Sequence, residues 1–481
     1  MKLYNFLTDQ KEEITKNSIN WYCCGPTVHA VTHMGHARTF SIFDSMRKFM
    51  TSIGIRVNFG MNITDIDDKI NNKVKEIHKS LSPECLTPPM SLYYNFVDEK
   101  TKKFWNTLKR INIYYPTKVI CVSEVIKDNT IEKFIDKLII GGYAYESNGS
   151  VYFDTTNYEE KFGKCPLSNS TEDDVNIKDG YATEKRNIKD FALWKKSKEN
   201  FISFDSKWGK GTPGWHIECS VMSNIMFGDN IDLHSGGIDL KFPHHHNEVL
   251  QSNSYHQKLD VFKHFIYTGH ICTNNEKMAQ SMGNYITVDD YLAAHSPNSL
   301  RLLFWLVPWD KPMNLTDKLI EQAEILEKRI NEFLSTINFF LKLSDSNGIV
   351  MERDVDILLD ILDEINLKLH DNFSVDDVIR LINKLITESN KVMNGNKLLD
   401  SVFLNHLLVS FKNLLYIIGF DIEPSMETYE TQMINKILEI RDEVRKNKLY
   451  DLSDHIRNKI IPDLGYVMQD TPNGTKIEKI N

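Results

Sequence analysis

The sequence predicts an α/β protein of several domains, built on a parallel sheet and continued by helices. Two patterns carry this. Near the N-terminus a short apolar run, a helix-period stretch and an alternating run follow one another; that is the order of a βαβ unit, which implies parallel strands and a right-handed crossover. Between about 315 and 420 the pattern changes to long stretches of helical periodicity with few glycines, the mark of a helical bundle. At 481 residues the chain is too long for one core, so roughly two to four domains are expected.

Taken in order, residues 20–24 (NWYCC) read as a buried strand, broken by Gly25 and Pro26. From Gly35 a helix follows, with Met34, Ala37, Phe40, Phe43, Met46, Phe49 and Met50 recurring every third or fourth position until Gly54 ends it. Val57, Phe59, Met61 and Ile63 alternate as a strand. Residues 115–200 carry turn signals (SNGS at 147–150), short strands (VYFD at 151–154) and charged loops, and read as an insertion. From about 207 to 250, Trp, Gly, His and Pro crowd together as in a binding site. The last segment, 430–481, opens with a charged helix and ends in a TPNG turn with a strand-like tail.

Composition is that of a globular chain, 41% hydrophobic and 26% charged. No run is apolar enough to suggest a membrane span, and the first residues show no basic segment followed by an apolar core. The net charge of −9 weighs mildly against nucleic-acid binding, although it says nothing about local patches. Seven cysteines, an odd number at irregular spacing, argue against a disulfide framework and for a reducing, cytoplasmic setting.

Three constellations carry chemistry. His33-Met34-Gly35-His36 stands at a strand-to-helix junction, where free N–H groups and positive partial charge bind phosphate. Two imidazoles three apart can face one anion, and Gly35 lets a flat ring or phosphate approach; two capping histidines would read the same. Lys277-Met278-Ala279-Gln280-Ser281, before Met282-Gly283-Asn284, places a lysine on a glycine-bearing loop suited to a triphosphate. Taken alone, it equally describes a solvated lysine. The third set is metal-like. Pro243 can open a helix, which puts His244 and Glu248 at i and i+4 on one face, and Cys24 and Cys219 lie in site-like segments. Cys23, His245 and His246 compete, and only one of Cys23 and Cys24 can reach a common site because strand neighbours face opposite ways. Cys85, Cys121, Cys165 and Cys272 have no partner at metal spacing. Asp65, Asp67 and Asp68 read as a helix cap and first turn or as a Mg²⁺ site, and the basic stretch 185–198 as a charged rim or a nucleic-acid contact.

Together, in this order, the blocks resemble cysteinyl-tRNA synthetases. HMGH and KMAQS are similar to the HIGH and KMSKS signatures of class I aminoacyl-tRNA synthetases. CCGPTVH, NITDIDDKI (62–70), KRNIKDFALWK (185–195), GWHIECSVM (214–222), HSGGIDLKFPHHHNE (234–248) and EKMAQSMGN (276–284) narrow the likeness, which is dense over 20–315 and looser beyond. The resemblance implies a Rossmann-type parallel-sheet catalytic domain with an insertion, then a helical bundle and a small C-terminal α/β domain. The expected boundaries are 1–114 and 201–260 for the catalytic halves, 115–200 for the insertion, 261–315 for the stem-contact region with the lysine loop, 316–425 for the bundle and 426–481 for the anticodon-binding domain.

It implies, further, one Zn²⁺ held by Cys24, Cys219, His244 and Glu248 and binding the substrate thiolate directly. Gly25, Thr64, Trp215 and Asp239 would line the cysteine pocket, Asp239 holding the α-ammonium. Thr27, His33, Gly35, His36, Lys277 and Gln280 would bind ATP, with His33, His36 and Lys277 acting in catalysis and Mg²⁺ accompanying the nucleotide. The implied partners are tRNA(Cys), L-cysteine and ATP, the implied state a monomer without a membrane, and no editing site is called for.

The chain departs from the family in four places. Ala279 and Gln280 stand where Ser and a second Lys are usual, which removes one positive charge from the loop and predicts slowed turnover. His246 replaces a common Glu, and Ile477 an aromatic near the tail. The rival readings are a cysteine ligase acting on an amino-sugar acceptor, which lacks the full C-terminal domain, a non-catalytic RNA-binding paralogue, and a purely structural zinc protein.

Overall fold

Five strands pair in parallel into one sheet: β1 (Ser18–Cys23), β2 (Arg56–Ile63), β3 (Lys118–Cys121), β4 (Ile231–Gly237) and β5 (Phe262–Thr268). Their order across the sheet is β5-β4-β1-β2-β3. The direction of winding therefore reverses between β1 and β4, and at such a switch point a crevice opens beyond the carboxyl ends of the strands. This computed structural model describes residues 1–81, 84, 88–168, 182–198, 201–273, 276–278, 285–344, 352–395, 400–422, 426–471 and 474–479. They divide into two units, Met1–Phe420 and Asp421–Asn481.

Sequence explains the central strands. Both faces of β1 are covered, so its last three residues are all buried rather than alternating. Trp21 sits edge-on to Phe43 and Phe59, and its indole N–H donates to Ser235 Oγ at 2.7 Å, tying β1 to β4 across the switch point. Helix α1 (Met34–Ser52) carries the chain from β1 to β2 and buries the periodic residues Met34, Ala37, Phe40, Phe43, Met46, Phe49 and Met50.

Between β3 and β4 the chain forms an antiparallel sheet of Ala144–Ser147, Ser150–Phe153, Phe191–Lys196 and Gly211–Pro213, in that order. Its first hairpin turns at Asn148 and Gly149, both at positive φ (52° and 84°), as a tight two-residue turn requires. Lys118–Cys121 thus belongs to the parallel sheet, although it falls within the stretch that reads as insertion. After β5, Ile271–Thr273 pairs with Glu276–Lys277 on one side and Met313–Leu315 on the other.

Four long helices follow: Asp317–Leu343, Glu352–His370, Val375–Gly395 and Ser401–Ile418. The last corrects a sequence expectation. Its 18 residues, at mean hydropathy 1.4, are long and apolar enough to span a membrane by length and composition. Here Leu404, Leu407, Phe411, Leu415 and Ile418 are buried, and Phe333 of the first long helix meets Phe411 edge-on, as in a core helix. A buried ion pair holds this helix end near α1: Arg301 Nη2 contacts Asp44 at 2.9 Å and its Nε donates to the Ile418 carbonyl at 2.7 Å.

The second unit holds the helix Met426–Lys446, a shorter helical stretch from Tyr450 to Asp463, and the hairpin Tyr466–Thr471 with Gly474–Lys479. Ile434, Ile456, Ile461 and Met468 form its small core.

Candidate active site

A cleft of about 430 Å³ lies at the switch point. Cys24, Gly25 and Thr27 follow β1, His33, Gly35 and His36 open α1, Thr64 follows β2, and Asp239 follows β4; all line it. Trp215 and Cys219 also line it, one turn apart on the helix α2 (Trp215–Phe227), as does His244. Glu248, on the helix α3 (His246–His256), is fully buried behind that wall.

The thiol end is a closed knot of donors. Cys24, Cys219, His244 and Glu248 are buried and bring one ligand atom each within 4.8 Å of one another, which is compatible with a metal site. Cys24 Sγ stands 3.7 Å from Cys219 Sγ and 3.5 Å from Glu248 Oε1, and His244 Nε2 lies 3.0 Å from the same oxygen. The second oxygen, Glu248 Oε2, meets His234 Nε2 at 2.9 Å. His244 Nδ1 meets His216 Nδ1 at 2.9 Å, which orients the ring from behind. Cys24, His234, His245 and Glu248 make a second group at the same spacing. That group differs in access, because neither His234 nor His245 lines the cleft.

Charges in the knot are interdependent. The hydrogen bond from Cys24 pulls the Cys219 thiol down to about 6, whereas burial and the Cys219 charge push Cys24 well above the usual thiol range. The pair shares a proton. Burial disfavours a charged His244, but Glu248 and Cys219 outweigh it and hold the imidazolium to about 10. His216, pushed well below the ordinary range by burial, then accepts from it.

Pro243 opens the helical stretch as expected: Phe242 before it is extended (φ −138°, ψ 134°), and the residues from Pro243 on are helical and run into the helix His246–His256. His244 and Glu248 therefore make their i,i+4 contact. Of the expected competitors, Cys23 points away toward Ser235 and His246 pairs with Asn247. His234, His216 and Asn62 were not foreseen. Asn62 accepts from the Gly25 N–H at 2.8 Å and donates to Thr64 Oγ1 at 3.1 Å, while a Cβ on Gly25 would fall 1.7 Å from the Asn62 carbonyl oxygen. No spacing rule links these residues, which meet only across strands.

The end at the opening of α1 is looser. His33 caps α1, its Nδ1 accepting from the N–H groups of Gly35 and His36 at 3.1 and 3.4 Å, so its Nε2 carries the proton. The two rings stack at 3.8 Å, and a Cβ on Gly35 would press 2.9 Å from the His33 ring. Burial lowers both histidines below the usual range, His36 the further, and the buried His36 Nδ1 finds no hydrogen-bond partner among the described residues. The Lys277 backbone pairs with Cys272, and Met278 beside it lines the cleft. Ala279 and Gln280 lie outside the described residues, as does Cys85. Arg38 braces this end from below: its guanidinium donates to the carbonyls of Gly269, His270, Pro308 and Lys311 at 2.9–3.2 Å. The acidic run 65–68 disperses, with Asp65 accepting from Ser123 N–H, Asp67 from Lys69 N–H, and Asp68 bridging Lys195.

Comparison with known proteins agrees with this architecture. The family model of the class I (C) tRNA synthetase catalytic domain matches residues 10–325. Cysteine–tRNA ligases of Encephalitozoon cuniculi and Methanococcus maripaludis are each 34% identical, the alignments covering 100% of this chain and 99% and 100% of theirs. Among solved structures, Mycobacterium tuberculosis methionyl-tRNA synthetase shares the fold at a TM-score of 0.61, with 13% identity over 83% of this chain and 89% of that one. The chain belongs to the cysteine–tRNA ligase family of class I tRNA synthetases.

Proposed function

We propose that the chain activates L-cysteine with ATP and transfers it to the 3′ end of tRNA(Cys), and that Cys24, Cys219, His244 and Glu248 hold a zinc ion that selects the cysteine thiolate. The observation that carries this is the pairing, within one cleft, of a buried thiol–imidazole–carboxylate knot with two neutral histidines at a helix N-terminus. The knot fits zinc: bonds of about 2.3 Å in a tetrahedral site set two sulfurs about 3.8 Å apart, against 3.7 Å between Cys24 and Cys219. The first group is preferred over the one containing His234 and His245 because it borders the cleft, from which the substrate thiolate would add as a fifth ligand beside these four. There zinc supplies a soft Lewis acid that prefers thiolate to a neutral hydroxyl. This answers the difficulty of rejecting serine, which shape alone discriminates poorly.

The rest of the chemistry is positioning and charge. Asp239 would hold the α-ammonium of cysteine; it lines the cleft, as do Thr64 and Trp215. The cysteine carboxylate attacks the α-phosphorus of ATP, a P–O bond forms, and pyrophosphate leaves with its electron pair. His33 donates from Nε2, His36 offers its unpaired nitrogen, and Lys277 adds charge from its strand as the leaving group develops. Thr27, Gly35 and Gln280 complete the nucleotide site, and Mg²⁺ accompanies ATP. In the second step a terminal ribose hydroxyl attacks the cysteinyl carbonyl and AMP leaves. The same reading takes the chain as a cytoplasmic monomer in which the described cysteines stay free, and the second unit as the anticodon-binding domain.

The test is cysteine-dependent ATP–pyrophosphate exchange together with charging of total tRNA, before and after zinc removal. Zinc-dependent exchange and charging of one tRNA species, with serine inert, is expected. Exchange without charging would favour a different acceptor such as an amino sugar, and neither activity would sink the catalytic reading.

A further inference from the structure

Lys69 stands apart among the cations of the cleft. It lies in the first turn of the helix Asp68–Leu81, after β2, and lines the cleft while remaining exposed. Its ammonium makes no ion pair with any described residue, whereas its neighbour Asp68 is engaged by Lys195 at 2.8 Å. Among the described cleft-lining residues it is the only lysine or arginine.

Its position separates it from the nucleotide phosphates. The Lys277 strand follows β5, at one edge of the order β5-β4-β1-β2-β3, and Lys69 follows β2, three strand steps away. At about 4.8 Å per step that is on the order of 14 Å. The Lys277 side also borders the opening of α1, since Met34 N–H donates to the Ile286 carbonyl and His33 bridges Thr287. The triphosphate thus has its own partners there. Lys69 instead follows Asp68, which Lys195 of the strand Phe191–Lys196 engages. An exposed lysine at a cleft mouth, in a chain of net charge −9, is a point charge placed for an anion.

Resting on the reading of the chain as a tRNA-charging enzyme, we propose that Lys69 binds a backbone phosphate of the single-stranded 3′ end of the tRNA and so guides the terminal ribose to the adenylate. It serves the transfer step and not activation. Because the side chain is exposed, replacing it leaves the core intact.

The experiment compares Lys69→Met and Lys69→Arg with the unsubstituted chain. For Lys69→Met, cysteine-dependent exchange should stay within about twofold, while kcat/KM for tRNA falls about tenfold, mainly through KM. The salt dependence of that constant should flatten by about 0.7 in log–log slope, the value for one single-strand phosphate. Lys69→Arg should restore most of the charging. Equal losses in exchange and charging would overturn the proposal in favour of an ATP or cysteine contact, and no change in either would leave Lys69 a solvated side chain. Absence of exchange in the unsubstituted chain would overturn the catalytic reading itself, and this one with it.

Discussion

At the thiol end of the cleft four donors are buried, mutually bonded and braced by His216 and His234, whereas at the opening of α1 two neutral histidines stack with one nitrogen unpaired. On the proposed reading the first end is built before any ligand arrives, because distinguishing a thiol from a hydroxyl needs fixed ligand geometry. On the same reading the second keeps its hydrogen-bonding capacity in reserve for charge that arrives with the nucleotide and grows during reaction. Selectivity and rate would then be lodged in differently organised walls of one crevice.

The largest effect should come from breaking the rigid end. Cys219→Ala is expected to lower cysteine activation by about a thousandfold or more and to strip the bound metal. His245→Ala should retain the metal, with affinity weakened about tenfold to a hundredfold by loss of its support behind Cys24. Metal content of the purified variants, measured by mass spectrometry, decides between the two donor groups. A stripped His245 variant beside a loaded Cys219 variant would move the site to Cys24, His234, His245 and Glu248.

At the looser end, His36→Ala should lower the activation rate about a hundredfold to a thousandfold. The KM for cysteine should change by less than about threefold, since His36 lies with the phosphate partners. A large rise in that KM with little change in rate would mean that the two ends are not independent.

The smallest effect is on stability. Burial holds His33 and His36 below the unfolded value of about 6.5. On acidification the unfolded chain takes up protons at these positions first, so their contribution is full above about pH 6.5 and is lost as pH falls toward their folded values. Urea midpoints between pH 7.5 and 5.5 should therefore decline less steeply for His36→Asn than for the unsubstituted chain. Parallel declines would show that burial of the ring carries no protonation penalty.

Much of this was legible in the sequence because it is local. The periodic apolar residues of 34–50 form α1, and Asn148–Gly149 forms the expected turn. Cys24 and Cys219 are a different matter. They are 195 positions apart, and sequence leaves Cys23, His245 and His246 as competitors until β1, α2 and α3 are packed. Pro243, by contrast, was legible because its preference for a first helical position is local: Phe242 before it is extended and helical residues follow.

By itself the sequence determined the βαβ opening, the bundle, the family and the residue types at the site, since periodicity, breakers and motif blocks are written along the chain. Only the tertiary structure decided which donors meet, that His234 and His216 stand behind them, and that Lys69 lines the cleft. Those are relations across strands and layers, fixed by the order of the sheet and by which side chains the packing buries together.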